Sequence, residues 1–498
     1  MPGINISTAT RTGRISNTVR ESSQAFFVGD ARRGPVDEAL LVTSLEDFEI
    51  KFGGYNNSYL HPTVECFFEE GGTQCYVARA FNVATGETIA SSTASATFDD
   101  GTDDMITITA VGPGTWAHSG QTDAVTVEII DGTTVDSVTR IMKIYVGGRL
   151  VASSGNCATA EAMAGRINSN IVARYYVTAT STTDGQTGLP DAAAATALSG
   201  GVAGDALVSA DYVSALALFG DELGTGVVAC PESSASTVNN ALIAHANTNN
   251  RLAFLYPAAA SDSDDAIEFA EDVSAGENAE HVAIYYPWVI APTSVFGVTR
   301  TIPPVGYAAG ARSRAHNQVG PHQPGAGIIS NARFISGVET EISKSVGDAL
   351  DDGMVNAIRV INGTIRVYGA RSASLDTDNF RYITGQDVVN YVVTEAYRSL
   401  EDVVFAVVDG RNTVFASIEA KLVAILEPLR TIGALYEAFD AQGRRIDYGY
   451  TVKCDSSLNP LANLVDGTLT ARVGLRVSSI GDKINVDIVK SNLTASVT

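Results

Sequence analysis

The chain has 498 residues, of which 45% are hydrophobic and 18% charged, and it carries a formal net charge of -23. Such a length exceeds one ordinary core and fits about two to four domains. The acidic balance argues against a nucleic-acid binder, since its surface would repel a polyanion, and no segment approaches the roughly 18 uninterrupted apolar residues of a membrane span.

Residues 1–24 are polar and basic, with Arg11, Arg14 and Arg20 and no acid before Glu21. They lack the apolar stretch of a secretory signal, so folding in a cytoplasm is expected. Ile4, Ile6, Thr8 and Thr10 alternate with period two, the pattern of a strand without a local partner. This reads as an arm. A globular texture begins at "AFFVGDARRGP", with a strand at Phe26–Gly29, a Gly34-Pro35 turn and a short strand at Leu40–Val42. "TSLEDFEIKFGG" predicts a helix capped by Thr43 or Ser44, with Glu46 and Asp47 at its positive end and Gly53 closing it. "HPTVECFFEEGGTQCYVARA" then reads as helix, glycine stop and strand.

Over residues 85–203, "MITITAV", "AVTVEII", "IMKIYVGG" and "ARYYVTATS" alternate with turn formers, which predicts an inserted all-β domain. Beyond residue 204 helix and strand patterns alternate as in βαβ units. The eight carboxylates of residues 261–280 fit the solvated face of one helix. "IPPVGYAAGARSRAHNQVGPHQPGAG" reads as a Pro/Gly-rich stretch preceding a last α/β region. In that region "NTVFASIEAKLVAILEPLR" keeps helical spacing behind an Asn412 cap. The tail reads as two strands around a Gly-Asp turn, with Ile484, Val486 and Ile488 alternating.

The expected fold is a multidomain α/β chain: an α/β core with mixed sheets, an inserted all-β domain and extended N- and C-terminal arms. Its expected parts are an arm (1–24), the first part of the core (25–84), the insertion (85–203), a central α/β domain (204–340), a C-terminal α/β domain (341–478) and a terminal strand or arm (479–498).

Motifs for chemistry are weak. "GPGTWA" at residues 112–117 matches a dinucleotide pattern but precedes another strand instead of the helix that would hold a pyrophosphate, so a turn is expected. No GxxxxGK or GxSxG occurs, and the five cysteines are never spaced as CxxC. His316 and His322 lack a third ligand at metal-site spacing and read as loop residues. Turn and capping roles account for Glu69-Glu70 and Asp351-Asp352.

Several segments in order resemble the tail sheath proteins of contractile bacteriophages and related injection machines. "AFFVGDARRGPVDEALLVTSLEDFEIKFGG" with "FFEEGGTQCYVARA" resembles the sheath opening. "GPGTWAHSGQTDAVTVEI" is similar to the family's Gly-Thr-Trp-Gly-Asn turn, which His118 and Ser119 depart from. "IPPVGYAAGARSRAHNQVGPHQPGAG" is similar to another family stretch, without its acid. The fullest match is "DGMVNAIRVINGTIRVYGARSASLDTDNFRYITGQDVVNYV", where Gln386-Asp387 replaces a basic pair. Gly369, Arg371, Asp376, Asp378 and Arg381 are its structural signature, with Arg371 and Arg381 expected to pair with Asp376 or Asp378.

The resemblance implies a structural subunit, not an enzyme, that stacks as hexameric rings around an inner tail tube and contracts to drive the tube through a target envelope. Implied partners are further copies of the chain, the tube protein, and baseplate and tail terminator proteins. No cofactor, direct nucleic-acid contact or membrane insertion is implied. The location implied is the virion tail, assembled in the host cytoplasm. The C-terminal region would lie nearest the tube and the insertion outside. Arms built on Ile4, Ile6, Thr8, Arg11, Arg14, Arg20, Ile484, Val486 and Ile488 would add strands to a neighbour. The alternatives are a cytoplasmic α/β hydrolase, which would bring a Ser or Cys, a His and an acid into one pocket, and a non-contractile structural or adhesin protein.

Overall fold

The structure, a computed structural model, describes residues 21–134, 138–181, 188–292, 298–465 and 467–482. Two compact units divide after Thr394. The first opens with a 3₁₀ turn, Glu21–Ser23, and continues through β1 (Ala25–Gly29), β2 (Leu40–Val42), α1 (Leu45–Phe52), α2 (Leu60–Glu69) and β3 (Cys75–Arg79). Ser44 Oγ accepts from the Asp47 amide at 3.1 Å, and Gly53 ends α1 at φ 85°, so the expected caps form. Next come β4 (Ala94–Asp99), β5 (Asp104–Ala110), β6 (Val125–Asp131), β7 (Arg140–Val146), β8 (Arg149–Ser153), α3 (Ala160–Asn168), β9 (Val177–Ser181), β10 (Ala193–Ala197) and β11 (Ser199–Gly200). The alternating part follows with α4 (Ser209–Leu216), β12 (Val227–Ala229), α5 (Ser236–Thr248), β13 (Leu252–Leu255), α6 (Ser263–Ser274) and β14 (Val282–Tyr286). After it come β15 (Val289–Pro292), β16 (Thr299–Ile302), α7 (Val305–Gln318), β17 (Gly337–Val338), α8 (Lys344–Asp352), β18 (Val355–Ile361), β19 (Thr364–Val367) and α9 (Ile383–Leu400).

One eight-stranded sheet in the order β19-β18-β14-β13-β12-β1-β3-β2 organises this unit. Its interior pairs are parallel and its two edge pairs, β18/β19 and β2/β3, antiparallel. Burial on both faces explains why β1 is a continuous apolar run. Phe27 packs on one side with Phe48, Phe52, Phe67 and Tyr307, while Phe26 and Val28 pack on the other with Leu216, Leu242, Ala266 and Leu350. Each buried phenylalanine contributes roughly 1.5–3 kcal/mol.

Three expectations need correction. Residues 94–200 form two antiparallel four-stranded sheets, β10-β6-β7-β8 and β11-β4-β5-β9. They are not purely β, because Thr159 caps α3, which buries Met163 and Ile167 among strand residues. The Pro/Gly-rich stretch is largely a helix, α7, buried from Val305 to His316. Its glycines are contact points: a Cβ on Gly306 would lie 2.6 Å from Thr63 O and one on Gly310 2.8 Å from Phe67 O. Finally, β18 and β19 belong to the main sheet, which therefore crosses the expected division at 340/341, and compactness breaks after Thr394 instead.

The second unit contains the end of α9, then α10 (Thr413–Thr431), β20 (Ala438–Phe439), β21 (Arg445–Asp447), β22 (Tyr450–Lys453), α11 (Leu461–Val465) and β23 (Arg472–Leu475). Val414, Phe415, Ile418 and Leu422 form its core with Cys454. Asn412 precedes α10 as expected but makes no side-chain cap bond; Asp409 instead accepts from Thr413 Oγ1 at 2.9 Å. Of the two expected tail strands, the first is β23, and the second lies outside the described residues.

Candidate functional site: the root of the N-terminal segment

Ile4, Ile6, Thr8, Arg11, Arg14, Arg20, Ile484, Val486 and Ile488 lie outside the described residues, so the described part of the N-terminal side begins where the chain enters the core. That entry is tightly bonded. Arg312, on buried α7, donates through Nη1 to Ser22 O at 2.6 Å and through Nε to Asp387 Oδ2 at 3.2 Å, and its Nη2 bonds Asp387 Oδ1. His316, one turn further along α7, places Nδ1 3.2 Å from Ser22 Oγ and Nε2 3.5 Å from Asp387 Oδ2. Gln24 Nε2 donates to Leu223 O at 2.7 Å and to Thr225 O at 2.9 Å.

Burial pushes the His316 pKa down to about 4, helped by the Arg312 charge, so the ring is neutral near pH 7. Burial also raises the Asp387 carboxyl, but Arg312 and then His316 outweigh it and hold the group below its ordinary value. The cluster is a buried ion pair with a neutral imidazole beside it. His316, expected in a loop, is a helical core residue.

Ser22, His316 and Asp387 therefore converge, which is the arrangement a hydrolase would need. Their setting differs from a reaction site. Ser22 is 1% exposed, His316 0% and Asp387 3%, Asp387 is engaged by Arg312, and none of the three lines the clefts around Arg79 and Phe81. A nucleophile needs room for a reacting carbon about 3 Å away. Here the atoms are used to hold chain.

The signature segment is also wiring. Arg371 forms a two-point ion pair with Asp351 at 2.9 and 3.0 Å, in place of the expected Asp376 or Asp378. Asp351 is thus more than a turn residue. Asn356 on β18 bonds the Arg371 backbone at both ends, accepting from its amide at 2.7 Å and donating to its carbonyl at 2.9 Å. A Cβ on Gly369 would come within 3.0 Å of Asn356 Cα, so glycine permits this approach. Asp376 accepts from the Asn379 side chain and amide, which hold its carboxyl below the ordinary value. Asp378 is exposed, and the Arg381 guanidinium stands 5.5 Å from the Tyr382 ring centroid.

Two more arginines join the antiparallel sheets to the core. Arg79 Nη1 donates to Gly34 O at 2.9 Å and Pro113 O at 3.1 Å. Arg33 donates to Glu49 O and Ile50 O and lies 4.2 Å from the Tyr176 ring centroid. "GPGTWA" is therefore a turn pressed on the Gly34-Pro35 turn, as its missing helix predicts. Clefts of about 540 and 590 Å³ flank this seam, both lined by Arg79 and Phe81. Among the described residues no group of three or more metal-ligating side chains occurs, and no helix is long and apolar enough to cross a membrane.

The second unit also exposes large apolar side chains. Phe405 is fully exposed, and Val407, Leu461, Val465 and Ile446 are largely so. β22 and β23 pair only with each other, leaving open edges among the described residues.

This mixed α/β arrangement of several sheets and helices is similar to the fold of contractile sheath proteins. The chain matches the sheath tail protein Lin1278 from Listeria innocua over 87% of its own length and 89% of the other's, with TM-score 0.60 and 14% identity. It matches the sheath of an extracellular contractile injection system, PVC, in its contracted state over 99% and 98%, with TM-score 0.55 and 14% identity. The contracted helical sheath of the anti-feeding prophage matches over 99% of both chains, again with TM-score 0.55 and 14% identity. Neither a protein-family model nor a curated protein matches the sequence.

Proposed function

We propose that the chain is the structural subunit of a contractile tail sheath, in a phage tail or a phage-derived injection machine. Copies would stack as hexameric rings around an inner tube, engage baseplate and terminator proteins at the ends, and contract to drive the tube through a target envelope. Assembly would take place in the host cytoplasm. The observation that carries this reading is fold likeness across 99% of the chain to sheath subunits that were themselves seen in contracted assemblies. Two sequence patterns support it: the alternating Ile4, Ile6 and Thr8, and Ile484, Val486 and Ile488, suit strands that complete a neighbour's sheet. Open-edged β22 and β23 are suitable acceptors. Arg11, Arg14 and Arg20 would be drawn to an acidic neighbour.

The hydrolase reading is weakened by the sealed position of Ser22, His316 and Asp387. Negative-stain microscopy of purified protein tests the proposal. Striated hollow cylinders are expected, and deletion of residues 1–20 should leave a folded monomer that forms none. Persistent monomers of the full chain with esterase or peptidase turnover would sink the sheath reading. Normal cylinders from the truncated chain would sink the arm.

A further inference from the structure

An arm that joins copies is only as strong as its attachment to its own body. A chain entering through surface loops would peel away under load, because exposed backbone bonds open at little cost. Residues 22–24 are instead buried and bonded to three separate elements. Ser22 O is held by Arg312 of α7, which also grips Asp387 of α9. Ser22 Oγ faces His316 of α7. Gln24 is held by the carbonyls of Leu223 and Thr225, and its own carbonyl accepts from Val227, the first residue of β12, at 3.2 Å.

We propose that Arg312, with Asp387 and His316, is the load anchor of the N-terminal segment, so that tension on residues 1–21 passes into α7 and α9 together and not into a peeling edge. This rests on the reading that the segment links one copy to another. The roles divide by geometry. Arg312 has five N–H donors in a rigid fork and can serve the ion pair and the Ser22 carbonyl at once. A lysine offers one nitrogen, which can neutralise Asp387 but cannot occupy both positions of the fork. Ion pairing and anchoring are therefore separable. These are positioning residues, whose effect on assembly passes through Ser22.

The test compares the full chain with Arg312→Lys and Ser22→Ala. Hydrogen exchange at the amides of residues 22–26 reports the anchor, near-UV circular dichroism the fold, and microscopy the length of cylinders. Arg312→Lys is expected to keep the fold, to exchange at least about tenfold faster over residues 22–26, and to give short or no cylinders. Ser22→Ala loses only the hydroxyl contact, so its exchange should fall between the two. Unchanged exchange in Arg312→Lys overturns the anchor. So do faster exchange and cylinders of full length, because the contact would then bear no load. If Arg312→Lys fails to fold, Ser22→Ala decides: exchange and cylinder length both equal to the parent chain overturn the proposal. Absence of cylinders from the parent chain would instead refute the sheath reading, leaving the exchange comparison to judge the anchor alone.

Discussion

Glu70 offers a sharp test of how the core is wired. It sits at the end of α2 with a side chain wholly out of solvent. Its Oε1 accepts from three successive amides, Arg333, Phe334 and Ile335, at 3.0, 2.9 and 3.2 Å, and Oε2 lies 3.7 Å from Arg314 Nη1. Glu70→Gln keeps the shape and removes the charge. Hydrogen bonds to a charged acceptor contribute about 1.5–3 kcal/mol and neutral ones about 0.5–1.5, so three amides lose about 3 kcal/mol together. Arg314 also loses its neighbouring counter-charge in a buried setting, and removing one partner of a buried pair costs about 3–5 kcal/mol. The two losses fall on different partners, so a total of at least about 3–5 kcal/mol is expected. Urea unfolding followed by tryptophan fluorescence, compared at constant m, measures it. The adjacent Glu69 is exposed, so Glu69→Gln should stay within about 0.5 kcal/mol and serves as the control. A Glu70→Gln chain within about 1 kcal/mol of the parent would refute the claim that this carboxylate organises the loop.

Three further outcomes are expected. His316 has its folded pKa lowered from 6.5 to about 4, so the unfolded chain binds the extra proton first and stability is lost as pH falls from 6.5 towards 4, by about 3 kcal/mol in all. Facing it are Arg312, Asp387 and Ser22; the parent minus His316→Gln difference in acid titrations isolates this slope from Glu65 and Glu232, whose raised values of about 7 tilt stability the other way, and a flat difference would refute it. Gly112→Ala should destabilise by more than about 2 kcal/mol in urea, since φ is +82° and the new Cβ would overlap the Gly34 carbonyl; a neutral result would mean the two turns can separate freely. Phe405→Ser should leave monomer stability within about 0.5 kcal/mol yet reduce the yield of cylinders seen by microscopy, and an unchanged yield would remove Phe405 from the assembly surface.

Local patterns carried through to structure where they coincide with burial. "AFFVG" is apolar throughout because both faces of β1 are covered, and the Ser44 cap and Gly53 stop of α1 depend only on near neighbours. α7 was illegible for the opposite reason. A helix buried on every side shows no 3.6-residue alternation, and its glycines read as breakers until Thr63 and Phe67 of α2 are seen against them. The ion pairs were hidden by distance along the chain. Arg312 and Asp387 are 75 residues apart, Ser22 and Arg312 290 apart; Arg371 found Asp351 across 20 residues when nearer acids stood in its own turn. Gln386-Asp387 departs from the basic pair that the sheath resemblance implies, but only the fold sets Asp387 against the buried Arg312.

Arg312, Arg371, Arg33, Arg79 and Glu70 share a placement: each lies where a loop, turn or chain entry meets the packed sheet. Apolar packing is non-directional and tolerates sliding, whereas a forked guanidinium bound to two partners fixes position and angle. The main sheet and its two hydrophobic clusters supply stability, and the arginines supply registration of the parts that leave it. On the proposed sheath reading, a subunit exchanging one set of lattice contacts for another would need this division, because rigid bodies can move between arrangements only if their own joints do not yield first. Ser22 is the joint through which an N-terminal pull would enter, and it is held by both a backbone and a side-chain contact to the same helix. Failure under tension would then break the buried bond from Arg312 Nη1 to the Ser22 carbonyl and leave both groups unpaired in the core, a larger cost than opening an exposed turn.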